Sequence, residues 1–199
     1  MGKKYLNGVD VSHWQSDADC KREFPSCDFV IFKATEGKTY KDKTLARKMQ
    51  IAKDCGVKLF GLYHFYNSKK TATENASNFL ETATKYLGNN DTLLVCDIEG
   101  QHAQNVDIFY TDIVEFCDIV FEETGIKPLV YTSASNVCKM SKLLEKDYGL
   151  WVAHYTKQSK PRTSIYGNMW ALWQYTGSPI DRNYFNGTKK QFLAYCKQI

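Results

Sequence analysis

The feature that most constrains the fold of this chain is an alternation of short β-rich runs with stretches of helical spacing, kept up over most of 199 residues. Strand-like runs fall at residues 6–11, 29–34, 57–65, 92–98, 127–132, 150–153 and 170–175, with a last short one near 180–184. Between them, residues 45–55, 71–87, 103–123 and 135–146 have helical spacing. In the third of these, Val106, Phe109, Ile113, Phe116 and Val120 recur at intervals of three and four, an amphipathic stripe. Gly56, Gly88 and Gly125 stand where helices would end. Alternation of this kind predicts a parallel sheet, because each crossover helix returns the chain to the same edge. About eight strands suggest closure into a barrel. Eight full βα units take ~250 residues, however, and no helical pattern separates the runs after residue 150. The expectation is an α/β fold, a TIM-like barrel of about five βα units followed by three strands, (β/α)5(β)3, in a single domain over residues 1–199. An open doubly wound sheet would want a glycine-rich phosphate loop after the first strand, and "DVSHWQ" stands there instead.

Composition excludes several classes. Hydrophobic residues make up 43% and charged residues 24%, ordinary for a soluble globular protein, and no apolar run is long enough to insert in a membrane. A net charge of +4 suits an anionic polymer but falls far short of a nucleic-acid signature. The seven cysteines are odd in number and lack a C-x-x-C pair, so most read as small buried apolar residues of a reducing compartment. Cys20 and Cys27 lie in a loop region, and the odd count argues against their pairing. The polar start "MGKKYLNG" does not read as a signal peptide, and Leu6 stands where myristoylation would want Ser or Thr. The sequons at Asn75, Asn90 and Asn186 carry little meaning without a secretory route.

Catalytic groups of a βα barrel sit at the carboxyl ends of its strands. The first run ends on Asp10, with Ser12, His13 and Trp14 after it, and the second on Thr35 and Glu36. The third presents Tyr63, His64 and Tyr66, the fifth Tyr131, the sixth His154 and Tyr155, and the seventh Trp173, Gln174 and Tyr175 before Asp181. The fourth, "LLVCDIEG", ends on Asp97 and Glu99. Residues two apart on a strand share a face, so both carboxylates should point into the barrel mouth. Like charges held close raise one pKa, which lets a glutamic acid keep its proton at neutral pH and act as a general acid. Paired carboxylates with aromatic neighbours suit glycoside hydrolysis, the rings offering flat faces to pyranoses. Taken alone, a D-x-E pair is more often a solvated strand end; Asp10 and Asp181 at other strand ends reverse that judgement. Metal hydrolysis is disfavoured, since His13, His64, His102 and His154 are scattered and no HExxH occurs. No G-x-S-x-G elbow and no P-loop is present. No metal and no cofactor is expected.

The stretches "GVDVSHWQ", "FKATEG", "GLYHF", "DIEG" and "LWQYT", with Asp181 after them, resemble the glycoside hydrolase family 25 lysozymes, from about Leu6 to the C-terminal region. Each motif is weak alone; their order and spacing are specific. The resemblance implies a barrel of five βα units plus three strands and cleavage of the β-1,4 bond between N-acetylmuramic acid and N-acetylglucosamine in bacterial peptidoglycan. It assigns Glu99 as general acid and Asp10, Asp97 and Asp181 as the other active-site acids. Glu36, Tyr63, Tyr131, Trp151, Tyr155, Trp173 and Gln174 match its groove positions. Ile180 in "PIDRN" departs from the small residue or Val usual before the aspartate. Two mechanisms stay open: Asp10 or Asp181 as nucleophile or electrostatic partner, or attack by the substrate's own 2-acetamido oxygen with Asp97 orienting it. The resemblance further implies a monomer, made without a signal peptide as a phage endolysin is, or secreted if trimmed from a longer precursor. A catalytically inactive wall-binding module and a chitinase are the alternatives.

Overall fold

A computed structural model describes residues 5–88, 91–103 and 106–197, with only the backbone described at 101, 102, 106–110, 142 and 144. The Asn90 sequon, residues 1–4, and the side chains of His102, Val106 and Phe109 lie outside what is described.

Nine strands form one sheet: β1 (Leu6–Val11), β2 (Phe29–Glu36), β3 (Tyr40–Lys41), β4 (Phe60–Phe65), β5 (Thr92–Asp97), β6 (Leu129–Ser133), β7 (Leu150–Ala153), β8 (Leu172–Thr176) and β9 (Asp181–Phe185). The order is β1-β9-β8-β7-β6-β5-β4-β2-β3, and pairing of β1 with β2 closes it. β3 is a two-residue arm folded back on β2 and stands outside the barrel, so the sheet has one strand more than expected while the barrel itself has eight. Within the barrel, β1, β2, β4, β5, β6, β7 and β8 run parallel to their neighbours in that series, and β9 runs antiparallel to both β8 and β1. Helices α1 (Asp17–Glu23), α2 (Leu45–Asp54), α3 (Ala72–Ala83), α4 (Val106–Thr124) and α5 (Ser141–Glu145) alternate with the early strands, and β7, β8 and β9 follow without an intervening α-helix.

Two helices had no visible apolar period. α1 is set by a capping box, in which Ser16 and Asp19 satisfy each other's backbone donors, and it buries only Cys20 and Glu23. After β9, a helix α6 (Lys189–Tyr195) starts on the same device with Thr188 and Gln191. Its Phe192, with Cys196 just beyond, packs on Phe29 and Phe185 and plugs the end of the barrel away from the acids. The run at 57–65 becomes strand only from Phe60, because the Val57 N–H returns to the Ala52 carbonyl at the end of α2. All seven cysteines are free, Cys20 and Cys27 included.

Side chains alternate between two cores. Phe29, Ile31, Leu93, Val95, Leu129 and Trp151 fill the barrel. Val30, Phe32, Leu62, Leu94, Cys96 and Val130 face outward onto the helix layer, among them Phe79 of α3 and Phe116 and Val120 of α4. The interior is full enough to demand glycine at two places. A Cβ at Gly8 would lie 2.4 Å from the Phe29 ring, and one at Gly61 would lie 2.9 Å from both Ile31 and Leu93.

His64 is an outward-facing residue of β4 and belongs to this second core. The Asn75 amide nitrogen donates to the Thr71 and Asn67 carbonyls, so its oxygen accepts from His64 Nε2 at 2.9 Å. That leaves His64 Nδ1 to accept from the Thr35 hydroxyl at 2.7 Å. The ring also stacks on Phe116. His64 is therefore a structural neutral imidazole, and the buried Asn75 is not open to glycosylation. Burial pushes the His64 pKa down to about 4 from 6.5. The unfolded chain takes up this proton below 6.5 and the native one does not until about 4, so His64 withdraws stability as pH falls through that window. The full effect is roughly 3 kcal/mol. Urea midpoints at pH 7 and 4.5 should differ less in His64→Gln than in the unaltered protein; equal differences would remove the buried neutral histidine from the account.

Candidate active site

The four predicted acids meet at one rim. β9 runs against its neighbours, so its first residue lies level with the last residues of the parallel strands. Asp181 is thereby the register partner of Asp10 on β1. Asp97 ends β5, in register with Phe65 of β4 and Tyr131 of β6. The chain stays extended for one more step, since the Ile98 N–H donates to the Tyr131 carbonyl at 2.9 Å and the Ile98 side chain is buried in the outer core. Glu99 consequently returns to the face of Asp97, and both line a cleft of about 260 Å³ together with Asp10 and Asp181. The cleft is walled by Tyr63, Tyr131, Trp151, Tyr155 and Gln174.

Asp10 is held by a chain of amides and phenols. The Tyr131 and Tyr155 hydroxyls both donate to the Gln174 side-chain oxygen, at 3.0 and 2.7 Å. This turns the Gln174 amide nitrogen towards Asp10 Oδ1, 3.0 Å away. From the other side the Trp151 indole N–H donates to Asn183 Oδ1 at 2.9 Å, and the Asn183 nitrogen donates to the same Asp10 oxygen at 2.6 Å. A carboxylate that accepts two N–H groups is fixed in orientation and favoured in its charged form. Asp97 contrasts with it: its Oδ1 is buried and has no hydrogen-bond partner among the described residues.

Burial raises all four acids, and repulsion from a neighbouring carboxylate adds to it at Asp10, Asp97 and Glu99. Glu99 is raised first by burial and then by the charge of Asp181, with Lys33 opposing. Asp97 is raised well above the usual range by burial and then by Glu99 and Asp10. Asp10 is pushed up to about 7 by burial and by Asp181, against the pull of its two amide donors. Asp181 is raised by burial. The Tyr63 hydroxyl is raised by burial and by the fields of Asp97, Asp10, Glu99 and Asp181, so all four acids surround one phenol.

Two expected groove residues are elsewhere. Gln174 points inward, so its neighbour Trp173 points outward; Trp173 is buried on the far side of the wall, its indole N–H on the His154 carbonyl at 2.8 Å. Glu36 does not line the cleft. A bulge between Lys33 and Thr35 shifts the phase of β2, which puts Lys33 and Glu36 on one side in a 2.6 Å ion pair. Lys33 and Asn183 had no clear signal in the sequence. Lys33, only 8% exposed, lines the cleft and lies over the Phe65 ring. Asn183 belongs to a strand, "DRNYF", whose inward residues are polar at the top, and only its register with Gln174 reveals it. Trp14 stands 82% exposed at the rim, an open ring face for a sugar. Beyond Glu99, Tyr131 and Tyr155 the cleft continues into a shallower lobe of about 420 Å³ that reaches His154 and Arg162. A half-buried acid, a second unpartnered carboxylate and aromatic walls can protonate a leaving oxygen and hold an oxocarbenium-like sugar.

Comparison with known proteins agrees with this geometry. The model of the family described as "Glycosyl hydrolases family 25" matches residues 9–183. Lysozyme M1 of Streptomyces globisporus is 29% identical over 209 residues, covering 95% of this chain and 70% of that protein. Uncharacterized protein YegX of Escherichia coli (strain K12) is 29% identical over 208 residues, covering 98% of this chain and 74% of that protein. The crystal structure of the bacterial lysozyme from Streptomyces coelicolor superposes with a TM-score of 0.82 at 27% identity over 96% of both chains.

The raised acids imply a stability test. A buried carboxyl whose pKa is raised weakens the native state as pH rises above its unfolded pKa, because the native form must give up the proton at a higher price than the unfolded one. Asp97→Asn removes that charge and should stabilise the protein at pH 7 by on the order of 1 kcal/mol, about 2–4 °C in Tm. The gain should shrink steadily towards pH 3.5, as the unfolded carboxyl takes up its proton as well. Calorimetry at the two pH values checks this, and a loss of Tm at pH 7 would contradict it.

Proposed function

This chain belongs to glycosyl hydrolases family 25, and from that membership and the acids on its rim we infer a muramidase that uses Glu99 as general acid. It is a glycoside hydrolase of the lysozyme kind, and its substrate is the peptidoglycan of bacterial cell walls. The bond cleaved, in this reading, is the β-1,4 link from N-acetylmuramic acid to N-acetylglucosamine. The observation that carries the assignment of the acid is the setting of Glu99: half-buried, lining the cleft, and raised by burial and by Asp181.

Glu99 gives its proton to the glycosidic oxygen as the C1–O bond breaks, which lets the sugar leave as a neutral hydroxyl. Positive charge grows at C1 and on the ring oxygen, and the carboxylates of Asp10 and Asp181 offset it. The unpartnered Asp97 Oδ1 favours attack by the substrate's own acetamide. A buried acceptor without a donor loses free energy until one arrives, and the N–H of a 2-acetamido group is such a donor. With that N–H on Asp97, the acetamide oxygen bonds to C1 and the nitrogen takes up the positive charge. Water then attacks C1, Glu99 takes its proton, the C1–acetamide bond breaks, and the configuration is retained. The other scheme, in which Asp10 or Asp181 bonds to C1, asks a nucleophile of Asp10 while two amides hold one of its oxygens. No described helix is long and apolar enough to cross a membrane, and action on the wall as a monomer belongs to the same proposal.

Glu99→Gln should lower wall lysis by ~10²–10⁴-fold with the melting temperature kept. Mass spectrometry of fragments from purified peptidoglycan should find N-acetylmuramic acid at the new reducing ends. Normal lysis by Glu99→Gln, or cleavage of chitin in preference to wall, would overturn the assignment. For the mechanism, substrates without the acetamide should be inert, whereas a glycosyl group trapped on Asp10 or Asp181 would replace assistance with a covalent route.

A further inference from the structure

A second cavity lies on the outer wall rather than at the rim. It measures about 510 Å³. It exists because no α-helix follows β7 or β8, so the outer faces of β8 and β9 have no helix layer of their own. Register explains what covers them. Gln174 and Asn183 are partners and face the barrel interior, so Trp173 and its partner Tyr184 face out. Tyr175 lies flat on Tyr184, with ring centroids 4.3 Å apart and planes at 15°. Tyr5 meets Tyr184 at 5.4 Å. Four rings thus line the pocket, and its remaining lining is Asn7, Thr156, Gln158 and Ser159.

Every polar lining residue is an uncharged amide or hydroxyl. Among the described residues no Lys, Arg, Asp or Glu lines it, which disfavours a charged ligand such as a nucleic acid or a phosphorylated lipid. Aromatic faces ringed by amides and hydroxyls suit a neutral saccharide, whose C–H faces stack while its hydroxyls bond at the edge. The Trp173 indole N–H is already engaged by the His154 carbonyl and the residue is only 4% exposed, so Trp173 backs the pocket and the part-exposed Tyr5, Tyr175 and Tyr184 offer the ring faces. The pocket is tied to the cleft by one loop. Tyr155 turns into the cleft onto Gln174, and the next residue, Thr156, lines the outer pocket with Gln158 and Ser159.

We propose that this outer pocket is a second saccharide site, which holds an uncharged N-acetylated stretch of wall glycan beside the strand being cut. The proposal rests on the reading of the wall as substrate. Its use follows from multivalency: a polymer held at two places stays near the cleft after each cut, at an effective concentration set by the short distance between them.

The test uses the whole chain carrying Glu99→Gln, so that the ligand survives, titrated with soluble glycan strands freed of their peptides by an amidase and with the exposed lactyl carboxylates converted to amides, so that the strands are uncharged. Backbone and indole N–H resonances of residues 156–159 and of Trp173 report the outer pocket; those of Tyr131 and Trp151 report the cleft. Both sets should move, with separate saturation curves. Adding Gln158→Ala and Ser159→Ala, two exposed positions, should weaken the outer curve at least about fivefold and leave the cleft curve in place. Movement in the cleft alone, or an outer curve unchanged by the two substitutions, overturns the second site and leaves the glycosidase reading standing. No movement at either place overturns both.

Discussion

Closure of the barrel rests on β9. Without it the sheet would end at β1 and β8, two edges with unpaired backbone groups. Because β9 enters antiparallel, it pairs with both edges and brings its first residue to the catalytic rim. The same pairing sets Asn183 between Trp151 and Asp10 and places Gln174 under the hydroxyls of Tyr131 and Tyr155. One topological choice therefore closes the fold, supplies the fourth acid and orients the first.

The closed rim has an electrostatic consequence. Asp10, Asp97, Glu99 and Asp181 would separate if the strands were free to splay, and the ladders on either side prevent it. Repulsion is then relieved by proton uptake, by the Lys33–Glu36 pair at the edge and by the amide donors on Asp10. Those outlets are not shared equally. Asp10 receives two donors, whereas Asp97 has an oxygen with none. An acid left unsatisfied by its own protein is poised for a donor that the substrate brings, which is how a destabilising arrangement in the empty cleft becomes a favourable one when it is filled.

The sequence disclosed these features unevenly, for physical reasons. The strands were legible because buried parallel strands are continuous apolar runs, and Asp97 and Glu99 because they interrupt one. The same continuity hides phase: with apolar cores on both sides of the wall, nothing in "LWQYT" says which residues face in. Trp173 was thus expected in the groove, while its neighbour Gln174 holds the inward place. Glu36 was misplaced by a single bulge, which inverts alternation beyond Lys33 and leaves no mark in composition. Asn183 was invisible because its role depends on a partner nine residues away on β8. α1 and α6 are seven residues each, begun by capping boxes and held by one or two buried side chains, too little for a 3.6-residue period to emerge.

The uncovered wall follows from the same economy of helices. In a barrel with a helix after each strand, outer faces are apolar and sealed. Here β7 to β9 follow one another without α-helices, so their outer faces need another cover. Leu or Val in those places would leave an apolar patch open to water, a surface that invites association. Tyrosine and tryptophan resolve this, since each ring packs like a core residue while its polar atom finds a partner or solvent. The arrangement of Trp173, Tyr175, Tyr184 and Tyr5 is thus accounted for by folding alone. Folding does not account for the hollow they leave, or for the neutral amides and hydroxyls around it. A wall required only to be sealed would have been filled.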